Sequence, residues 1–233
     1  MSPLTRPMDV AAIVPAAGIG RRLGTRIQKP FVPLGDRPLL AHTLGALQSS
    51  PFIRWIALVV EESQRERATA LLKRYRITKA LSPCGGGPSR AASVARGFAI
   101  LPSGARWILV HDGARPCLNQ RLIRKAVRLS LRYGAVACGL PAASTVKVAD
   151  PDARVRLTLK RESLWFVQTP QVFRRDWFAE TLRRVDPSGE AFPDDAAMVE
   201  SAGFPVRMIQ GDPLNLKVTT KEDLWLAGAI LTK

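Results

Sequence analysis

Five short apolar runs, at residues 10–14, 55–60, 77–81, 107–111 and 135–140, are separated by stretches of helical periodicity or by glycine-rich loops. Ile56-Ala57-Leu58-Val59-Val60 is apolar at every position rather than at alternate ones, the pattern of a strand covered on both faces by helices. The rhythm is βαβ, so the chain reads as an α/β protein built on a mostly parallel sheet. With 233 residues, 46% of them hydrophobic, residues 1–233 can close one full core, and a single domain is expected. Ligands of such sheets bind beyond the carboxyl ends of the strands. There the sequence places its chemistry: a turn over residues 15–29 after the first run, the loop Gly85-Gly86-Gly87-Pro88-Ser89-Arg90 after the third, and His111-Asp112-Gly113-Ala114-Arg115 at the end of the fourth. The three loops are expected to converge on one crevice.

The first turn, Pro15-Ala16-Ala17-Gly18-Ile19-Gly20-Arg21-Arg22, points to a triphosphate. Gly18 and Gly20 allow the backbone to approach a phosphate and aim N–H groups at it, while Arg22 and Lys29 close on the same anion. A Walker A loop needs Gly-Lys-Ser/Thr directly before its helix, and the dinucleotide fingerprint needs a third glycine where Leu23 stands. A hydride-transfer cofactor is therefore disfavoured.

Helix starts are legible. Ser63 with Glu66 and Thr219 with Glu222 have capping-box spacing, and Asn119 precedes a helix striped with Arg121, Arg124, Lys125, Arg128 and Arg132. The rhythm breaks between residues 141 and 168. Alternating segments at residues 145–148 and 155–159 flank the turn Asp150-Pro151-Asp152-Ala153, predicting a β-hairpin arm. A two-stranded ribbon is marginal alone, so the arm is expected to pack on a second subunit, giving a homodimer, with folding back on its own domain as the alternative.

The formal net charge of +16 raises nucleic acid as a competing partner. No zinc finger, basic zipper or aromatic-bearing RNA motif accompanies the basic stripe, which therefore reads as a solvated helix face, and positive potential also steers small anionic substrates into a cleft. Cys84, Cys117 and Cys138 are odd in number and lack metal-site spacing, as in a protein with reduced thiols. No apolar run approaches the roughly 20 residues needed to span a bilayer. A loop pattern follows the apolar residues 10–17 where a cleavage site would stand, so the expected location is the cytoplasm.

An ordered set of motifs spans nearly the whole chain: Pro15-Ala16-Ala17-Gly18-x-Gly20-x-Arg22 with Lys29-Pro30, Gly86-Gly87-x-x-Arg90-x-x-Ser93-Val94, Val110-His111-Asp112-x-Ala114-Arg115-Pro116, Thr145-x-Lys147, Arg161-x-x-Leu164-Trp165, Thr169-Pro170-Gln171-x-Phe173 and Asn215-x-Lys217-Val218-Thr219. In these residues the chain resembles the 2-C-methyl-D-erythritol 4-phosphate cytidylyltransferases. The resemblance implies a Rossmann-like three-layer nucleotidyltransferase sheet with a protruding β-hairpin arm over residues 141–168. It also implies a magnesium-dependent homodimer that transfers CMP from CTP to the polyol phosphate and releases pyrophosphate in isoprenoid precursor biosynthesis. A ribitol 5-phosphate cytidylyltransferase shares most of the motifs and is the alternative within the class. A basic nucleic-acid-binding module on a degenerate nucleotidyltransferase fold is the alternative outside it.

A phosphomonoester, largely dianionic at neutral pH with a second pKa of about 6, attacks the α-phosphorus without a nucleophilic side chain or general base. Catalysis then rests on positioning and charge stabilisation. By resemblance, Arg22 and Lys29 stabilise the transition state, and Arg161 and Lys217 hold the attacking phosphate. Pro15, Ala16, Ala17, Gly18, Gly20, Gly86, Gly87, Arg90 and Ser93 surround the nucleotide. Gly113, Arg115, Thr145 and Thr169 surround the second substrate, with Thr145 and Arg161 reaching in from the partner's arm. Asp112 touches both and binds Mg²⁺, whose hardness suits a carboxylate plus phosphates. From position alone, Asp112 reads equally as a turn cap and Ser93 as a helix-start hydroxyl, while His111 reads as a structural strand-end residue rather than an acid or base.

Overall fold

The computed structural model describes residues 9–18, 27–187 and 192–232. In chain order the strands and helices are β1 (Val10–Pro15), β2 (Pro33–Leu34), β3 (Arg37–Pro38), α1 (Leu39–Gln48), β4 (Ile53–Val60), α2 (Arg65–Arg74), β5 (Cys84–Gly85), α3 (Arg90–Ala99), β6 (Trp107–Val110) and α4 (Gln120–Tyr133). They continue as β7 (Ala135–Pro141), β8 (Val146–Ala149), β9 (Val155–Leu159), β10 (Trp165–Arg174), α5 (Arg175–Arg184), α6 (Asp195–Ser201), β11 (Arg207–Gln210) and α7 (Lys221–Leu231). Short 3-10 turns stand at Lys29–Phe31, Glu62–Gln64 and Arg161–Ser163.

Seven strands form one sheet in the order β11-β7-β10-β6-β1-β4-β5. Strand β10 runs antiparallel to both of its neighbours and every other neighbouring pair is parallel, so the mostly parallel α/β architecture is present. Strand periodicity divides the core into two layers. Val10, Ala12 and Val14 face a cluster with Leu40, Leu44, Ile123 and Val127 of α1 and α4, while Ala11 and Ile13 face a cluster with Val94, Phe178 and Met198 of α3, α5 and α6. A third, smaller cluster seats α7 against β2 through Leu34, Leu39, Val218 and Ala227.

Four of the five expected strands are present within two residues of their predicted limits; the run at 77–81 is not a strand. Arg76 ends α2 in the left-handed region at φ +53°, and Ile77 is spent closing the helix end through Leu72 O. Only an isolated bridge joins Ile56 to Ala80, and ladder pairing resumes beyond Pro83, which has no N–H to give, as the two-residue strand β5. Two capping expectations also move. The 3-10 turn at Glu62–Gln64 precedes α2, so Gln64 occupies the N-cap position without a side-chain bond and Ser63 caps nothing. The box at α7 is Thr220 with Asp223, one residue beyond Thr219 with Glu222; an additional bond from the Thr219 hydroxyl to Asp223 at 2.6 Å favours that register. Asn119 caps α4 as expected.

The arm consists of β8 and β9, an antiparallel pair in register from Val146↔Leu159 to Ala149↔Val155 that forms a sheet of its own. Its turn is tied by Asp150, whose carboxylate accepts from Arg154 N at 2.8 Å. The boundaries at 141 and 168 are too wide: Pro141 ends β7, and residues 165–168 already belong to β10, where Trp165↔Pro141 and Phe166↔Leu140 root the arm in the central sheet.

Candidate active site

A cavity of ≈ 570 Å³ opens at the carboxyl ends of β1, β5 and β6, lined by residues 15–18, Lys29, Pro30, Leu39, residues 87–90, Ser93, residues 112–114 and Lys217. Backbone packing forms its glycine wall. A Cβ on Gly86 would lie 2.5 Å from Cβ of Ala17, and one on Gly87 would lie 2.6 Å from Cβ of Ala92 and 3.0 Å from that residue's carbonyl carbon. Glycine is thus required for closeness, with Gly86 N donating to Val60 O at 2.7 Å. Ser89 caps α3: its Oγ accepts from Ala92 N and donates to Pro187 O. Ser93 lies one turn inside that helix, correcting the helix-start alternative. Its hydroxyl accepts from Gly87 N at 3.0 Å and donates to Ser89 O at 2.9 Å, so it shapes the glycine loop.

Asp112 forms the floor just past β6. Its backbone N–H donates to Thr169 Oγ1 at 3.0 Å, and the same hydroxyl bonds His111 Nδ1, also at 3.0 Å. The Arg115 carbonyl, 3.3 Å from His111 Nε2, can only accept, so the neutral ring carries its proton on Nε2 and its Nδ1 accepts from the Thr169 hydroxyl. Burial pushes its pKa down to about 4, so the ring is neutral near pH 7, with both nitrogens spent inside the protein as expected of a strand-end structural residue. Behind the floor, Asn215 donates to Thr169 O at 2.7 Å and accepts at its own carbonyl from Arg115 at 2.9 Å, which fixes the segment carrying Lys217.

Charges alternate across this floor. The Arg90 guanidinium spans Asp112 Oδ1 at 3.0 Å and Asp195 Oδ2 at 2.8 Å, while Asp112 Oδ2 meets Lys217 Nζ at 3.0 Å and Arg115 Nε at 3.4 Å. Burial by itself would raise the Asp112 pKa, but Arg90, Lys217 and Arg115 outweigh it and hold the carboxyl well below the usual carboxylate range. Desolvation works against the charge on Arg90, yet Asp195 and Asp112 raise its pKa above the ordinary value. On Arg115 desolvation prevails and lowers it. Three cations against two carboxylates leave the floor positive, and Lys29 adds another cation to the lining. A cavity so charged and so walled by backbone suits a polyphosphate.

Of the residues singled out in the sequence, Pro15, Ala16, Ala17, Gly18, Lys29, Gly87, Arg90, Ser93, Asp112, Gly113 and Lys217 line this one cavity. Gly86 packs directly behind its wall, and Arg115 and Thr169 stand beneath Asp112. Thr145 and Arg161 are not brought to it within one chain: both are exposed near the arm, where Arg161 donates to Ala143 O at 3.0 Å. Gly20 and Arg22 lie outside the described residues. Sequence reasoning did not select Asp195, Asn215, Gln171 or Ser89 for the site. The acidic pair Asp194-Asp195 before a short helix and the asparagine two residues before Lys217 were the available signals, but the partners that give them meaning are far away in the chain.

A mostly parallel three-layer sheet with a cation-floored, glycine-walled cavity at its strand ends defines an α/β nucleotidyltransferase. The model of the IspD family, 2-C-methyl-D-erythritol 4-phosphate cytidylyltransferase, matches residues 10–233, and the chain belongs to that family. Similar proteins bearing that description include one from Dehalococcoides mccartyi, 42% identical over 224 residues that cover 96% of each chain, and one from Desulforamulus reducens, 38% identical over 226 residues that cover 97% of each. Among solved structures, the 4-diphosphocytidyl-2C-methyl-D-erythritol synthase of Anaerococcus prevotii superposes with a TM-score of 0.84 at 27% identity, covering 97% of both chains. The 2-C-methyl-D-erythritol 4-phosphate cytidylyltransferase of Thermus thermophilus superposes with a TM-score of 0.78 at 29% identity, covering 97% of this chain and 100% of that one.

Proposed function

We propose that this chain transfers CMP from CTP to 2-C-methyl-D-erythritol 4-phosphate and releases pyrophosphate, a step of isoprenoid precursor biosynthesis. The observation that carries the reading is the ionised Asp112 at the cavity floor, bound by Arg90, Lys217 and Arg115 in a charge set with a positive excess. Such a floor binds two phosphorylated reactants and stabilises the charge that accumulates as phosphorus becomes five-coordinate. The nucleotide lies along the glycine wall, its base against the backbone of residues 16–18 and the loop from Gly86 to Ser93, and Lys29 with Arg22 hold the reacting phosphate. Lys217 and a partner subunit's Arg161 hold the attacking phosphomonoester, with the partner's Thr145 beside it and Arg115 and Thr169 supporting the wall. No side chain is modified. The polyol phosphate oxygen forms the new bond to phosphorus as the bond to pyrophosphate breaks, and the electron pair leaves with pyrophosphate.

Mg²⁺ fits the donors on offer. Asp112 is an ionised hard-oxygen ligand, and among the described residues no group of three or more His, Cys, Asp or Glu side chains could cage a metal unaided. That favours an ion held by one carboxylate together with substrate phosphates and water, the usual arrangement for Mg²⁺. When bound there it neutralises triphosphate charge and polarises the reacting phosphate.

Three further parts of the reading follow. The arm pairs two chains: Val148, Val155 and Leu157 on it, and Phe166 and Val167 at its root, are exposed apolar side chains that a second copy would cover. The reaction is cytoplasmic, in keeping with Cys84, Cys117 and Cys138 as free thiols; among the described residues no helix is long and apolar enough to cross a membrane. Polyol discrimination falls to the side of the cavity between Thr169 and the incoming Arg161. The test is pyrophosphate release over the four nucleoside triphosphates crossed with methylerythritol, ribitol and glycerol phosphates. Turnover should be confined to CTP with methylerythritol phosphate; preference for ribitol 5-phosphate, or salt-dependent DNA binding without turnover, would replace this reading.

A further inference from the structure

Asp195 is the most deeply buried carboxylate of the floor and has no role in the transfer described above. Its side chain is 1% exposed. One oxygen meets Arg90 at 2.8 Å, and the other, Oδ1, has no hydrogen-bond partner among the described residues. Burial pushes its pKa up against the pull of Arg90. A buried ion pair with a half-satisfied carboxylate is a poor way to gain stability, since desolvation of the two charges offsets much of their attraction. The surroundings nevertheless fix it firmly. Gln171, fully buried on β10, donates to Asp194 Oδ2 at 2.9 Å and accepts from Ala196 N at 2.8 Å, while Asp194 caps the start of α6 through Ala197 N.

The consequence lies at Arg90. Its Nη1 is turned to Asp195 while Nε and Nη2 both reach Asp112 Oδ1, at 3.3 and 3.0 Å. One guanidinium thus serves two carboxylates along two edges. With the Asp195 charge removed, Arg90 would settle fully on Asp112 and draw that carboxylate away from its position facing the cavity. We propose that Asp195 is a positioning residue for the transfer reaction, holding Arg90 in a shared position so that Arg90 and Asp112 both keep the orientation that receives CTP.

The inference rests on the proposed cytidylyl transfer, and a double-mutant cycle separates the two. Wild-type enzyme that releases no pyrophosphate from CTP and any polyol phosphate overturns the transfer reading itself. Given turnover, Asp195→Asn is expected to lower kcat/KM for CTP by about 10–100-fold, the usual effect of displacing a supporting partner. Adding Asp195→Asn to Arg90→Lys should then cost little more, because both act through one guanidinium. Asp195→Glu, which keeps the charge, should recover part of the loss relative to Asp195→Asn, and also serves if the Asn variant fails to fold. Additive losses in the cycle, equal impairment of the Glu and Asn variants, or wild-type kcat/KM in folded Asp195→Asn would each overturn the positioning role.

Discussion

Lys29 and Lys217 approach one cavity from opposite ends of the chain, and their side chains are what a reacting phosphate would meet. Neither sits in a hydrophobic cluster, so truncation removes charge without opening the core. Lys29→Ala and Lys217→Ala should each lower kcat by about 10²–10³-fold, the scale of losing one preorganised charge-stabilising donor, with melting temperatures close to wild type. Wild-type turnover in either variant would remove its assignment. His111 makes a second prediction at this scale. Its folded pKa of about 4 lies below the ordinary 6.5, so the unfolded chain binds the proton more readily, and this contribution is lost as pH falls from about 6.5 towards 4. The upper bound is about 3.5 kcal/mol, from roughly 1.4 kcal/mol per pKa unit. Asp195, with its pKa raised, tilts stability the other way. Comparing wild type with His111→Gln isolates the histidine: urea unfolding between pH 7 and pH 4.5 should be steeper in pH for the wild type, and parallel curves would refute the claim.

At the scale of elements, the site is assembled from strand ends and the turns that leave them. β1 delivers residues 15–18, β6 delivers Asp112, and α3 begins at the glycine loop so that Arg90 stands in its first turn. β10 contributes from behind: Thr169 orients Asp112 and His111, and Gln171 anchors α6. The arm is the element on which the proposed second copy would pack. Arg161 and Thr145 lie at its base, away from the cavity, and Leu157 is 54% exposed on β9. Leu157→Asp should convert a dimer to a monomer in sedimentation and lower turnover, while the far-UV circular dichroism stays that of the wild type. A monomeric wild-type enzyme with full activity would end the dimeric account.

For the whole molecule, the dominant property is the formal net charge of +16. Both proposed substrates are multiply charged anions, and the cavity floor carries the same sign as the surface, so long-range attraction should hasten their encounter. Salt shortens the range of that attraction, from a Debye length of about 10 Å at 0.1 M to about 3 Å at 1 M. kcat/KM for CTP should therefore fall steadily with added KCl while kcat changes less; a salt-independent kcat/KM would show that the charge serves something other than this reaction.

What the sequence alone determined was local or periodic. Apolar runs fixed four of the strands because their period and length are properties of adjacent residues, Asn119 announced its cap because the bond spans three positions, and Asp150-Pro151-Asp152-Ala153 announced the turn of the arm. The glycine loop and His111-Asp112 could be placed at strand ends for the same reason. Where neighbouring signals competed, the sequence was ambiguous: Thr219 and Thr220 both begin a capping pattern, and a proline decided where β5 could start. Tertiary structure alone decided which charges meet. Asp195 lies far along the chain from Arg90, and the closeness of Gly86 to Ala17 depends on two separate loops packing together. Electrostatic pairing and burial depend on distance in space, and chain order carries no term for either.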